Sequence, residues 1–205
     1  MPNVSNVKTK FFGAVDPLDA DGISVAATIG SATTLTLGGT LTSGGSYTSG
    51  DNIGQLVTIL SAADDSGITF TVVGTDAVGD AQTEVVTGAD TAAATSSGYF
   101  NTVASITTSA ATAGNVSAGV TATGTGTVFA GRTRIRGLQG LSGASAGNLL
   151  FKNTSVTGTT LLTVPTQAAA ELIEPYIPDN AVLFDAGAYV NFGSAVATVT
   201  VFYDG

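Results

Sequence analysis

Gly67-Ile68-Thr69-Phe70-Thr71-Val72-Val73-Gly74-Thr75-Asp76 runs into Ala77-Val78-Gly79-Asp80 and then into Ala81 through Gly88. Ile68, Phe70 and Val72 alternate with Thr69 and Thr71. Successive side chains of a strand point to opposite sides, so this alternation puts the apolar set on one face and the hydroxyls on the other. Asp76, Gly79 and Asp80 are turn formers, and the whole stretch reads as a β-hairpin.

The same pattern extends outward in both directions. Thr34–Leu37 and Gln55–Leu60 read as strands before the hairpin. Tyr99–Thr107 and Asn115–Ala122 follow it, and after a Gly-Thr linker at 124–127 come 128–137, 148–152, 160–164, 181–184 and 195–203. Short strands every 8 to 12 residues with turns between them mark sandwiches and barrels, not parallel sheets with crossover helices. Helix is disfavoured throughout, because Thr and Ser prefer turns, β-branched side chains lose rotamers, and 27 glycines interrupt the chain. One short helix is predicted, around Gln167–Glu171. The fold class is therefore all-β: two β-sandwich or barrel-like domains at 23–124 and 128–205, after an extended N-terminal arm at 1–22 that lacks any sustained period.

With 205 residues, 43% of them hydrophobic and 10% charged, the chain can bury a core without crosslinks and is not of disordered composition. The low charge is unusual for a soluble monomer, and a surface of Thr, Ser, Gly and Ala suits close packing against neighbours. The net charge of −9 is unevenly spread: Phe11 through Gly131 holds ten acidic residues and no Lys or Arg. Lys8 and Lys10 precede this stretch, and Arg132, Arg134, Arg136 and Lys152 follow it, which marks a boundary near residue 128. An acidic chain repels phosphates, so nucleic acid is not an expected partner. No apolar run of about 18 residues is present, and no transmembrane helix is expected. Met1-Pro2-Asn3-Val4 lacks the basic and apolar regions of a secretory signal, and synthesis and retention in the cytoplasm are expected.

Histidine and cysteine are absent. That removes thiolate metal sites and the commonest general base, and nothing in the sequence pairs two carboxylates or a nucleophile with its base. No catalytic residue and no cofactor are expected, and the chain is not read as an enzyme. Asp16, Asp19 and Asp21 before Gly22 carry oxygens of the kind calcium takes, but the spacing is not that of an EF-hand and a solvated acidic turn is the simpler reading. Asp64 and Asp65 before Ser66-Gly67 also read as a turn. The aromatics Tyr99, Phe100, Tyr176, Phe184, Tyr189, Phe192, Phe202 and Tyr203 could form a sugar-stacking platform, though rings of this kind more often fill a core.

The hairpin, continued through Thr83-Glu84-Val85-Val86-Thr87-Gly88 and Tyr99-Phe100-Asn101-Thr102-Val103-Ala104-Ser105-Ile106-Thr107, resembles a module of tailed-bacteriophage virion structural proteins over residues 55–123. The run from Ile135 to Tyr203, with Leu183-Phe184-Asp185-Ala186-Gly187-Ala188-Tyr189-Val190, is similar to small β domains in virion proteins of marine and cyanobacterial phages. The resemblance implies Ig-like β-sandwich modules and a virion protein assembled in the host cytoplasm. Its expected role is capsid decoration or cement on the outside of the head, with the major capsid protein or other virion proteins as partners. A homo-oligomer is implied, a trimer by analogy. A tail or fibre component that binds host glycans is the alternative.

Within that frame the cations are the candidate partner-binding residues. Arg132, Arg134 and Arg136, spaced by two, share a face if they lie in a strand, where three guanidinium groups require facing carboxylates. Those carboxylates belong either to a capsid or neighbouring subunit or to this chain, at Glu171, Glu174 or Asp185. Lys8 and Lys10 place the arm against acidic capsid surfaces.

Overall fold

The structure, a computed structural model, describes residues 6–193 and 196–205. The first five residues of the expected arm, and Ala195 at the start of the expected last strand, lie outside them. Seventeen strands form among the described residues, and the fold is all-β. In chain order the first nine are β1 Val7–Phe12, β2 Asp19–Thr28, β3 Thr42–Ser43, β4 Ser46–Thr48, β5 Gly54–Ser61, β6 Thr69–Thr75, β7 Ala81–Thr87, β8 Ala93–Phe100 and β9 Thr102–Thr108. The remainder are β10 Asn115–Phe129, β11 Thr133–Ser142, β12 Gly147–Asn153, β13 Thr160–Thr166, β14 Leu172–Ile173, β15 Val182–Phe184, β16 Ala188–Gly193 and β17 Val196–Asp204.

The chain divides into two compact units that are not contiguous in sequence. One comprises residues 16–50 and 54–124; the other comprises residues 6–15, 51–53 and the described residues from 125 onward. In the first unit, a sheet ordered β3-β4-β9-β6-β7 faces strands β10, β5 and β8, with β2 also paired to β10. Phe70, Val72, Val103 and Ile106 from the one side meet Val57, Ile59, Phe100, Val116 and Val120 from the other, with Ile23 and Tyr47 beside them. The hairpin is present as β6 and β7, antiparallel from Thr69↔Thr87 to Thr75↔Ala81. Its turn is held by Asp76, whose Oδ1 accepts the N–H groups of Val78 (2.9 Å) and Asp80 (3.0 Å), while Gly79 takes φ 94°.

Gln55, wholly buried, organises the polar part of this unit. Its Oε1 accepts from the Asp16 N–H (3.0 Å) and the Ser49 hydroxyl (2.9 Å) and lies 3.0 Å from the Tyr47 hydroxyl. Its amide donates to the carbonyls of Asp16 (3.1 Å) and Thr121 (2.6 Å). Tyr47 also reaches the Asp16 carboxylate at 2.8 Å. A buried amide is tolerated because its hydrogen-bonding groups are satisfied in this way.

In the second unit, a sheet ordered β1-β17-β11-β14, with β15 also on β11, faces β13-β12-β16 and the end of β10. Phe12, Ile135, Leu138, Val199 and Val201 pack against Leu149, Phe151, Val190 and Phe192.

Several local expectations change. Thr34–Leu37 forms no strand, only an isolated bridge from Thr34 to Thr107, and the strand expected over Tyr99–Thr107 breaks at Asn101 into β8 and β9, which join different sheets. Val7–Phe12 does not stand off as an arm: it pairs antiparallel with β17 from Val7↔Asp204 to Phe12↔Val199, and Phe12 is fully buried. The supposed linker at 124–127 lies inside β10, the longest strand. Its glycine is there for space: a Cβ on Gly126 would lie 2.4 Å from the Phe12 ring and 2.6 Å from the Asn52 carbonyl. No helix forms over residues 167–171, where 168–170 are bends and Ala169 and Ala170 take φ 76° and 57°.

Candidate interaction surface

β11 begins at Thr133, so Arg132 stands outside the strand and only Arg134 and Arg136 belong to it. Thr133 and Ile135 turn inward and are buried, which sends the two arginines outward. The pairing of β11 with β17 slips between Ile135 and Gly137, leaving Arg136 at a bulge. There its Nε and Nη2 lie 2.7 and 2.5 Å from Asp204 Oδ2, and Nη1 donates to the Asp179 carbonyl at 3.1 Å. The Asp204 carboxylate raises the affinity of this guanidinium for its proton above the ordinary arginine value. Arg134 Nη1 donates to the Asn180 carbonyl at 2.5 Å, and Arg132 Nε is 3.9 Å from Asp185 Oδ1, both of the latter side chains being well exposed. Asp185 was one of the in-chain acids expected opposite the arginines; Asp204 was not.

Lys8 and Lys10 both lie in β1. The Lys8 ammonium donates to the main-chain oxygen of Gly205 (2.8 Å) and sits 5.7 Å from the centre of the Phe129 ring. Phe129 in turn packs on Tyr203 at 5.9 Å. Lys10, half-buried opposite Val201, forms no ion pair among the described residues. The five candidate cations thus gather on β1, β11 and the residue before β11, strands that flank β17 in one sheet.

On the side of β1 opposite its two lysines lies a surface that the sequence alone does not display. Register places Val7, Thr9 and Phe11 of β1, Thr198, Thr200 and Phe202 of β17, Gln139 and Leu141 of β11, and Leu172 of β14 on the outward face. Val7, Phe11, Leu141 and Leu172 are exposed. This face is apolar and hydroxyl-bearing, with its charge confined to the Arg134, Arg136 and Asp204 end. The signal was present in the alternation of Val7, Thr9 and Phe11 with Lys8, Lys10 and Phe12, but without a partner strand it reads as an arm.

Of the acidic residues considered for a cation, Asp19 and Asp21 lie in strand β2 and not in a turn as expected. Asp19 accepts from Thr40 Oγ1 (2.9 Å) and the Asp21 N–H (3.2 Å), and these hydrogen bonds, Thr40 foremost, hold its carboxyl below the ordinary range. Asp64 accepts both the Ser66 hydroxyl (2.6 Å) and N–H (3.1 Å), as a turn requires. Asp65 opens the same turn, its carbonyl accepting the Ile68 N–H at 2.9 Å across Ser66 and Gly67, while its side chain is buried and accepts the Ala113 N–H at 2.8 Å. Among the described residues no group of three acidic side chains could hold a metal ion. Of the eight aromatics considered for a platform, Phe100, Phe184, Phe192 and Tyr203 are buried, and Tyr176 is the most exposed at 86%.

No protein-family model, no curated protein and no solved structure matches this chain.

Proposed function

We propose that the chain is a virion structural protein that decorates and cements the outside of a tailed-phage head, acting by shape. The observation that carries this reading is the outward face of the β1-β17-β11-β14 sheet. It exposes Val7, Phe11, Leu141 and Leu172 among threonines, in a chain whose net charge is −9. Large apolar side chains exposed together on one sheet face suit a contact with another protein. The resemblance over residues 55–123 and 135–203 supplies the context. The partner is the major capsid protein or another virion protein, and copies of the chain associate as a homo-oligomer, a trimer by analogy with other head-capping proteins. The weakly paired Arg132 leaves its charge open to a partner beside this face and Lys10 does so from the opposite side of the edge strand β1, while Arg134, Arg136 and Lys8 are largely committed within the chain. Symmetric repetition over the shell multiplies a weak individual contact.

Purified protein added to particles that lack it tests this. It should co-sediment with the particles and raise the temperature at which they release their contents. A Phe11→Asp, Leu141→Asp variant that remains folded should do neither; full binding by that variant contradicts the assignment of the face.

A further inference from the structure

The turn between β13 and β14 builds a second feature of the same unit, a groove of about 250 Å³. Pro165, Leu172, Ile173 and Pro175 give it apolar walls, and Glu171 and Glu174 also line it. Neither glutamate has a cationic partner among the described residues. Thr166, 5% exposed, lines the groove as well, and its Oγ1 has no hydrogen-bond partner. A buried hydroxyl without a partner costs stability unless something else satisfies it. Pro165 removes one N–H from β13, an edge strand, and so works against simple addition of another strand there.

We infer that this groove receives an arginine or lysine side chain carried on an extended segment of a partner protein. The aliphatic stem lies along Pro165, Leu172 and Pro175, as long cationic side chains lie along apolar surface. The charged head reaches Glu171 and Glu174, where charge-assisted hydrogen bonds form, and the segment supplies the missing partner of Thr166 Oγ1. Charge complementarity selects this occupant: two unpaired carboxylates beside apolar walls suit a basic side chain and repel an acidic one. The groove shares only Leu172 with the exposed sheet face, and its occupant need not belong to a capsid.

The probe is the peptide acetyl-Thr-Val-Arg-Val-Thr-amide, titrated into the full chain and followed by amide chemical shifts. Saturable shifts at residues 164–166 and 171–174 are expected. Glu171→Gln with Glu174→Gln should weaken binding at least tenfold, and Thr166→Val should weaken it several-fold without lowering the melting temperature of the free protein. The same peptide with glutamate in place of arginine should not bind. The inference is overturned by absence of shifts at millimolar peptide, by equal binding of the acidic peptide or of free argininamide, or by either variant binding as the parent does. Self-association that the Glu171→Gln, Glu174→Gln variant abolishes would likewise overturn it, in favour of a second copy as occupant.

Discussion

Gly74 faces the main chain of Thr102 across the β6–β9 ladder, where a Cβ would fall 1.8 Å from the Thr102 carbonyl oxygen. Backbone cannot yield as a side-chain tip can. Gly74→Ala should therefore destabilise by about 3 kcal/mol, at the upper end of overpacking effects, as read from the urea midpoint. Tyr47 gives a test at the other end of the pH scale. Burial first, with the adjacent Asp16 carboxylate adding to it, pushes its phenol far above the ordinary value. A folded-state pKa raised above the unfolded value of about 10 means that this stabilising contribution is intact below pH 10 and is lost as pH rises beyond it. Titration by phenolate absorbance should show one of the five tyrosines ionising only as the protein unfolds; five normal titrations would contradict the buried network. The carboxyl of Asp19 runs the opposite way. Its lowered pKa contributes above the unfolded carboxylate value, and that contribution disappears as pH falls through the folded value. Thr40→Val should move the Asp19 pKa upward in a carbon-detected NMR titration, since the Thr40 hydroxyl is the main cause of its depression.

At the level of strands, β1 is where the sequence and the structure part most usefully. Phe12 is buried at the end of a strand whose other residues look like solvated tail, and its ring occupies the space that Gly126 leaves open in β10. Phe12→Ala should cost about 3–5 kcal/mol, measured by chemical denaturation, and deletion of residues 1–12 should cost more because the β1–β17 ladder goes with it. An arm could be removed without such loss. The β6–β7 hairpin was legible because period-two alternation and turn chemistry are both local. What escaped were features decided by distant partners. Gly124 and Gly126 have the composition of a linker, yet both lie inside β10, and Gly126 serves close approach within it. Arg136 acquires its carboxylate through a bulge opposite β17, 68 residues away in sequence. Ala169 and Ala170 favour helix intrinsically, but Leu172 pairs with Leu141, and the turn that brings β14 there takes both alanines to positive φ.

Over the whole molecule, charge is sparse and mostly spent internally. An exposed pair such as Arg132 with Asp185 stabilises by at most about 1 kcal/mol. Arg132→Glu should therefore leave the melting temperature nearly unchanged while weakening attachment to particles, and an unchanged attachment would make Arg132 ordinary surface. Arg136→Glu, which places like charge against Asp204, should lower stability and so cannot by itself report on binding. The candidate cations were identifiable from their absence between Phe11 and Gly131, but their commitments within the chain were not, because they depend on carbonyls at Asp179 and Asn180 and on the register of β17. The uncharged sheet face was hidden for the same reason: it is assembled from β1, β11, β14 and β17, and no single segment displays it. The account stands or falls on whether this surface meets a shell. Cryo-electron microscopy of otherwise identical particles with and without the protein measures that directly. The expected result is added ordered density on the outer head surface into which the two β units fit, with the β1-β17-β11-β14 face toward the shell. Identical heads, with the protein absent from the particle or confined to the tail, would contradict it.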